Sequence, residues 1–196
     1  MRIVGGRLRG RVLQSPTSRA IRPTSERVRE SVFDILTHRF EGSLEGARVV
    51  DVFAGSGALG LEALSRGAQF ALFIDNGEQA WALLRANLDA LSLGSAARIC
   101  RADATRLGKA AAGPPFSLAF LDPPYDKRLA SPALAELSEG GWLTPGALVV
   151  VEEAALAEIC ALPPPLQIVD ERVYGEARVL FIRHDCRVLS VDCIAR

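Results

Sequence analysis

Chemistry concentrates at two places in this chain. The first is "FLDPPY", residues 120–125, where an apolar run delivers Asp122, Pro123, Pro124 and Tyr125. Two prolines fix the backbone and remove two N–H donors, so the main chain there offers carbonyl acceptors only. Asp122 adds another acceptor, and Tyr125 a flat ring. Acceptors beside a ring suit the exocyclic amino group of a nucleobase, whose lone pair is delocalised into the base and is a poor nucleophile. Accepting hydrogen bonds from both N–H protons draws that nitrogen toward tetrahedral geometry and aims its lone pair at an electrophilic methyl. The tyrosine would stack on the extruded base. A Pro-Pro loop that simply closes a strand is the plainer account of the same residues.

The second place is "DVFAGSGALG", residues 51–60. Gly55, Gly57 and Gly60 have the G-x-G-x-x-G spacing of a dinucleotide-binding turn, and Asp75 lies 20 residues beyond Gly55, where an acid that grips a ribose is expected. The stretch fits either NAD or S-adenosylmethionine (SAM), and a tight turn with no ligand would also produce it. The new helix N-terminus favours negative charge, which suits a pyrophosphate. Asp51 at the head of the loop would repel a pyrophosphate, yet would help to hold the cationic methionine end of SAM, so the acid tilts the choice toward SAM. Asp75 could take ribose hydroxyls of either cofactor. Asp103, in "RAD", stands where an acid could meet an adenine amino group, or could cap the following turn.

These residues need strands to carry them to one edge. From Gly46 the pattern alternates: "ARVVDVF" as a strand, "ALGLEALSRG" as a helix closed by Gly67, "QFALFID" as a strand and "EQAWALLRANLDAL" as a helix. "ARICRAD", "FSLAFLD" and "GALVVVEE" continue as strands, with a helix near residues 128–138 before the last of them. "LQIVDERVY" and "ARVLFIRH" are separated only by Gly175 and Glu176 and predict an antiparallel pair. Such alternation predicts a mostly parallel sheet covered on both faces, with its ligand beyond the C-terminal strand ends.

Upstream, "RIVGGRLRGRVL" predicts a small hairpin from Ile3–Val4 and Val12–Leu13, with arginines on its open side. Pro23 holds Arg22 extended. A helix should begin at Ser25 as N-cap; its stripe is Val28, Val32, Ile35 and Leu36, with Arg27, Arg29, Glu30 and Asp34 facing away. The expected division is a basic extension over 1–45, a catalytic domain over 46–184 and a tail over 185–196.

The 196 residues suit one domain, and 49% apolar content supports a sizeable core. There is no bilayer-spanning apolar run, and arginines occupy the N-terminus where an export signal needs apolar residues, so the expectation is a cytoplasmic protein. Cys100, Cys160, Cys186 and Cys193 show no metal-ligand spacing with the two histidines, and no metal is expected. Net charge is zero, but residues 1–30 carry +6 and the remainder −6. That asymmetry points the N-terminal part at a polyanion, a solvated basic face being the alternative.

Taken with "FLDPPY", the stretches "RIVGGRLRGRVL", "RPTSERVRESVFDIL" and "DVFAGSGALGLEALSRGA" resemble the RsmD family of bacterial 16S rRNA (guanine-966-N2)-methyltransferases. The likeness runs from Arg2 to about Arg183. It implies a Rossmann-like class I SAM-dependent methyltransferase, with a seven-stranded mostly parallel sheet whose last strand is antiparallel, plus the N-terminal extension. It further implies methyl transfer to the 2-amino group of one guanine in 16S rRNA, in a partly assembled small subunit, by a monomer that uses no membrane. Carried across, Asp51, Ala54, Gly55 and Gly57 would line the methionine end of SAM. Asp75 and Asn76 would take the ribose side, and Asp103 with Ala104 would border the adenine. Asp122, Pro123, Pro124 and Tyr125 would form the catalytic pocket, Arg22 and Thr24 would close over the cofactor, and Arg7, Arg9 and Arg11 would grip RNA backbone. Position 26 is glutamate where the family pattern has aspartate, position 75 is aspartate where glutamate is commoner, and the tail runs past the family's usual end. DNA adenine-N6 methylation shares "DPPY" but usually brings a target-recognition region for which this chain has no room. An NAD oxidoreductase and a non-catalytic RNA-binding module fit less of the pattern.

Overall fold

The computed structural model describes residues 1–15, 26–111, 113–124, 128–157 and 162–185. Its frame is one seven-stranded sheet in the order β3-β2-β1-β4-β5-β7-β6. The strands are β1 (Arg48–Val52), β2 (Phe70–Asp75), β3 (Ala97–Arg101), β4 (Phe116–Leu121), β5 (Leu143–Ala154), β6 (Leu166–Tyr174) and β7 (Ala177–His184). β1 to β5 pair in parallel, while β7 returns antiparallel between β5 and β6. The two-residue link at Gly175-Glu176 forces that return, and the antiparallel last strand is as the sequence predicts.

Central strands read as unbroken apolar runs because both faces are covered. On one face α1 (Glu26–His38), α2 (Ala58–Ser65) and α3 (Glu78–Leu91) pack Phe33, Leu61, Leu64 and Leu84 against Val49, Phe73, Phe120 and Phe181. On the other, α4 (Ala130–Glu139) packs Ala133, Leu134 and Leu137 with Val50, Val52, Ala119, Leu121 and Val149. Alternate residues of β1 thus feed different cores, which puts Asp51 on the α2 face with Val49.

The N-terminal arm forms a small antiparallel hairpin, as predicted: Arg2 bridges Val12, Ile3 N–H donates to Arg11 O and Leu13 N–H to Met1 O, both at 3.0 Å, around a short 3-10 turn at Gly6–Leu8. The segment between its two sides is anchored on α2. Its Glu62 carboxylate accepts the N–H groups of Val4 and Gly5 at 2.8 and 2.7 Å, and its Ser65 hydroxyl accepts from Leu8 and donates to the Gly5 carbonyl. Backbone groups of Val4, Gly5 and Leu8 beyond the paired residues are thus satisfied by the helix. Gly6 is needed for that approach, since a Cβ there would sit 2.0 Å from the Ser65 carbonyl oxygen.

Arg29 is a correction to the predicted helix face, because it does not face away. It is fully buried, 3.6 Å from Glu62, with Nη2 donating to the Arg2 carbonyl. Glu62 is itself fully buried and also accepts from Arg66 Nε at 2.8 Å. A carboxylate placed in a core must be matched by positive charge, and α1 supplies it from the position that periodicity assigned to solvent. Burial holds the Arg29 pKa below the ordinary guanidinium value, against the opposing charges of Glu62 and Glu26. Val28, Val32 and Leu36 are buried as the stripe predicts, and Ile35 is partly so. Ser25 lies outside the described residues, as do Cys160, Cys186, Cys193 and the tail from residue 186; Cys100 on β3 is a free thiol.

Candidate active site

The chain leaves β1 for β2 on one side and reaches β4 on the other, so the sheet's topological switch point lies between β1 and β4. Four acids come to the C-terminal edge around it. Asp51 is the penultimate residue of β1, Asp75 ends β2, Asp103 follows β3 and Asp122 follows β4. Backbone bonds continue the ladders past the strand ends: Ala54 N–H donates to Ile74 O, Ala102 N–H to Asp75 O and Asp122 N–H to Val52 O.

Asp51 is 2% exposed, and its Oδ2 accepts the Gly60 N–H at 2.8 Å in the first turn of α2. Burial pushes its pKa well above the ordinary carboxylate range; the Gly60 bond works against that, and the charges of Asp122 and Asp75 add to it. Among the described residues no cationic side chain is paired with it. A cation arriving at this edge would favour its ionised form.

The loop from Ala54 to Gly57 is tied down bond by bond. Gly55 N–H donates to Asp75 Oδ2 at 2.9 Å, and Asp75 Oδ1 accepts from Gly77 N–H at 2.8 Å, at the start of α3. The 20-residue spacing therefore joins the loop to the next strand directly, while each carboxylate oxygen keeps a second lone-pair direction for a ligand. Gly57 sits at φ +81° as the residue before α2, where a Cβ would lie 2.5 Å from Leu84. Phe53 adopts φ +61° between β1 and the loop. A non-glycine residue there is strained, and such residues cluster at functional sites.

Asp103 is exposed and caps its own turn, with Oδ1 accepting from the Thr105 N–H at 2.9 Å and the Thr105 hydroxyl at 2.7 Å. Those two bonds hold its pKa below the ordinary carboxylate value. The capping alternative therefore describes its Oδ1. Ala104 is buried beside it, Ala54 is at the edge of the core and Asn76 is exposed. Asp122 is half-buried, Pro123 is buried and Pro124 is exposed. Tyr125, Arg22 and Thr24 lie outside the described residues. Arg7, Arg9 and Arg11 are exposed on the arm, away from this edge, and Arg11 Nη2 donates to the Ala90 carbonyl near the end of α3. A cavity of about 250 Å³ bounded by Phe40, Ser117, Thr144 and Arg183 opens at the opposite end of the sheet, where β4 and β5 begin, and has no part in this edge.

Sequence reasoning missed three residues here. Phe53 gave no signal, because its backbone conformation has no residue-type mark. Glu62 did carry one, as the lone acid in the apolar helix "ALGLEALS". Asn87 on α3 is 1% exposed and bonds the loop at the Ser56 carbonyl, 2.9 Å away.

Residues 1–183 match the family model described as Conserved hypothetical protein 95. The chain is 38% identical over 176 residues to the Ribosomal RNA small subunit methyltransferase D of Escherichia coli strain K12, covering 90% of this chain and 86% of that one. The protein of the same name from Haemophilus influenzae is 38% identical over 154 residues, 78% of each chain. Among solved structures, the Escherichia coli protein yhhF superposes with a TM-score of 0.83 at 34% identity, covering 94% of this chain and 98% of that one.

Proposed function

The chain belongs to the RsmD family, matched from residue 1 to residue 183, and on that premise we propose that it transfers a methyl group from SAM to the 2-amino group of a guanine in 16S rRNA. One observation carries the reading: Asp51, Asp75 and Asp122 converge on the switch-point edge, and the Asp-Pro-Pro run leaves β4 beside the glycine loop.

The residues present fit SAM on the chemistry of the donor set. Asp51 is a buried carboxylate with no cationic partner among the described residues, and the methionine end of SAM brings an ammonium and a sulfonium. Asp75 retains acceptor capacity for ribose hydroxyls. When bound, SAM supplies an electrophilic methyl on sulfur. The chain's own part is to hold and ready the amine. Asp122 and the carbonyls of the Asp-Pro-Pro run accept its N–H bonds and direct the nitrogen lone pair outward. Asp122 then receives the proton that the alkylated nitrogen sheds. That nitrogen is so acidic that an ordinary carboxylate suffices. Tyr125 would stack on the base, and Arg22 and Thr24 would cover the cofactor, by family resemblance.

Arg7 and Arg9, exposed on the arm, would bind RNA backbone, with Arg11 beside them. The substrate in this reading is a partly assembled small subunit, and the enzyme is a cytoplasmic monomer. The test is twofold. S-adenosylhomocysteine should raise the melting temperature where NAD at equal concentration does not, and labelled methyl should enter small-subunit RNA and not duplex DNA. Stabilisation by NAD instead, or label in DNA, would overturn the proposal.

A further inference from the structure

The arm and the cofactor loop meet at one side chain. Asn87 lies on the buried face of α3 at 1% exposure, and its carboxamide makes three hydrogen bonds. Oδ1 accepts the Gln14 N–H at 2.7 Å, while Nδ2 donates to the Gln14 carbonyl at 3.1 Å and to the Ser56 carbonyl at 2.9 Å. Toward Gln14 it acts as a strand edge would, pairing both backbone groups of one residue. Toward the loop it holds the oxygen of the peptide that joins Ser56 to Gly57. The N–H of that same peptide donates to the Ala54 carbonyl at 2.7 Å. Both polar ends of one peptide plane are therefore fixed, one by the loop itself and one by Asn87. Gly57, at φ +81°, is the residue in this loop that could most readily let the plane turn if the Asn87 bond were lost.

The arm's course gives this link its meaning. Gly5 and Leu8 are bonded to Glu62 and Ser65 in the later turns of α2, while Arg11 and Gln14 are bonded to Ala90 and Asn87 on α3. The arm thus crosses from the end of α2 to α3, where Gln14 meets the side chain that holds the glycine loop, with its arginines exposed on the way. Whatever displaces the arm at Gln14 pulls on the amide that orients Ser56.

We propose that Asn87 is a positioning residue that couples the basic arm to the cofactor loop, so that RNA held on the arm and cofactor held in the loop strengthen one another. This rests on the methyltransferase reading and adds to it a route between the two ligands. Coupling of this kind is reciprocal: if cofactor tightens RNA binding by some factor, RNA tightens cofactor binding equally.

The experiment measures S-adenosylhomocysteine affinity by calorimetry, and small-subunit RNA affinity with and without saturating S-adenosylhomocysteine. It uses wild type, Asn87→Ala, Asn87→Asp and Ser65→Ala at a temperature where circular dichroism shows each folded. Asn87→Asp keeps side-chain volume and the acceptor for Gln14 but loses both donors, so it stands in if the alanine variant does not fold. Ser65→Ala loosens the arm at its other end without touching the loop. Wild type should bind RNA several-fold more tightly with S-adenosylhomocysteine than without. The Asn87 variants should bind S-adenosylhomocysteine about tenfold more weakly, as expected for leaving a buried carbonyl unpaired, and their RNA affinity should no longer respond to it. Ser65→Ala should retain both properties. Asn87 variants within twofold of wild type, a wild type without coupling, or a Ser65→Ala loss equal to theirs would each overturn the inference alone. A wild type that binds no S-adenosylhomocysteine would overturn the methyltransferase reading, and this inference with it.

Discussion

Replacing Asp51 by asparagine should make the protein more stable and a poorer binder of cofactor. At 2% exposure the carboxylate is almost wholly removed from water, and its one described hydrogen bond, from Gly60, can be accepted equally by an asparagine oxygen. What the substitution removes is an ionisable group. Because burial raises the pKa in the folded chain, the folded state holds its proton to higher pH than the unfolded chain does. The contribution of this group to stability is therefore greatest at low pH, where both states are protonated. It falls as pH rises above the ordinary carboxylate value, until the raised value is passed. The gain on substitution should be about 1–2 kcal/mol near pH 8, in the range of one buried unsatisfied polar group. For a chain of this size that corresponds to a melting-temperature rise of about 2–8 °C, shrinking toward zero near pH 4. Cofactor affinity should move the other way. A hydrogen bond to a charged group is worth about 1.5–3 kcal/mol, so S-adenosylhomocysteine should bind roughly ten- to a hundredfold more weakly. Thermal melts across pH 4–8 and calorimetric titration read both effects. A melting difference that does not vary with pH, or unchanged affinity, would refute the argument.

Asp122→Ala should abolish methyl transfer, by on the order of 10²-fold or more for one lost preorganised acceptor, while S-adenosylhomocysteine binding survives. Near-normal turnover in a single-turnover assay would make the Asp-Pro-Pro run a structural turn. Replacing Arg7, Arg9 and Arg11 together by alanine should weaken RNA binding and flatten log K against log[salt] by up to roughly 0.7 per lost contact on single strands. Identical slopes would remove the arm from the RNA interface. Glu62→Ala strips the acid from buried Arg29 and leaves the Val4 and Gly5 N–H groups unpaired, so urea denaturation should show a loss of about 3–5 kcal/mol. A loss below about 1 kcal/mol would mean that the buried pair is dispensable.

The sheet was legible because its signals are local. "VV" in β1 and "LAFL" in β4 are apolar on successive residues, as strands covered on both faces are, and two residues between β6 and β7 leave only an antiparallel return. The acids at the strand ends were legible for the same reason, since each stands between an apolar run and a turn. Partnerships set by distant residues were not. Arg29 is polar in a helical pattern whose logic assigns it to solvent, and its partners, Glu62 (33 positions on) and the Arg2 carbonyl, lie outside that pattern. The glycines at 5 and 6 read as turn residues of the hairpin, but their second role, close approach to α2, depends on a helix about 60 positions on. Asp51 could be placed at the edge from sequence, but its aim into the first turn of α2 depends on Gly60 folding back beside it. Asn87 sits among apolar neighbours of α3 with no local mark of its bonds to Gln14 and Ser56.

The central claim is that this edge methylates the 2-amino group of a guanine in 16S rRNA. Small-subunit particles from cells lacking the modification, incubated with labelled SAM and the wild-type protein, should acquire one N2-methylguanosine, located by nuclease digestion and mass spectrometry, and none with Asp122→Ala. Label on adenine, on cytosine or on protein, or equal labelling by the Asp122 variant, would contradict the account.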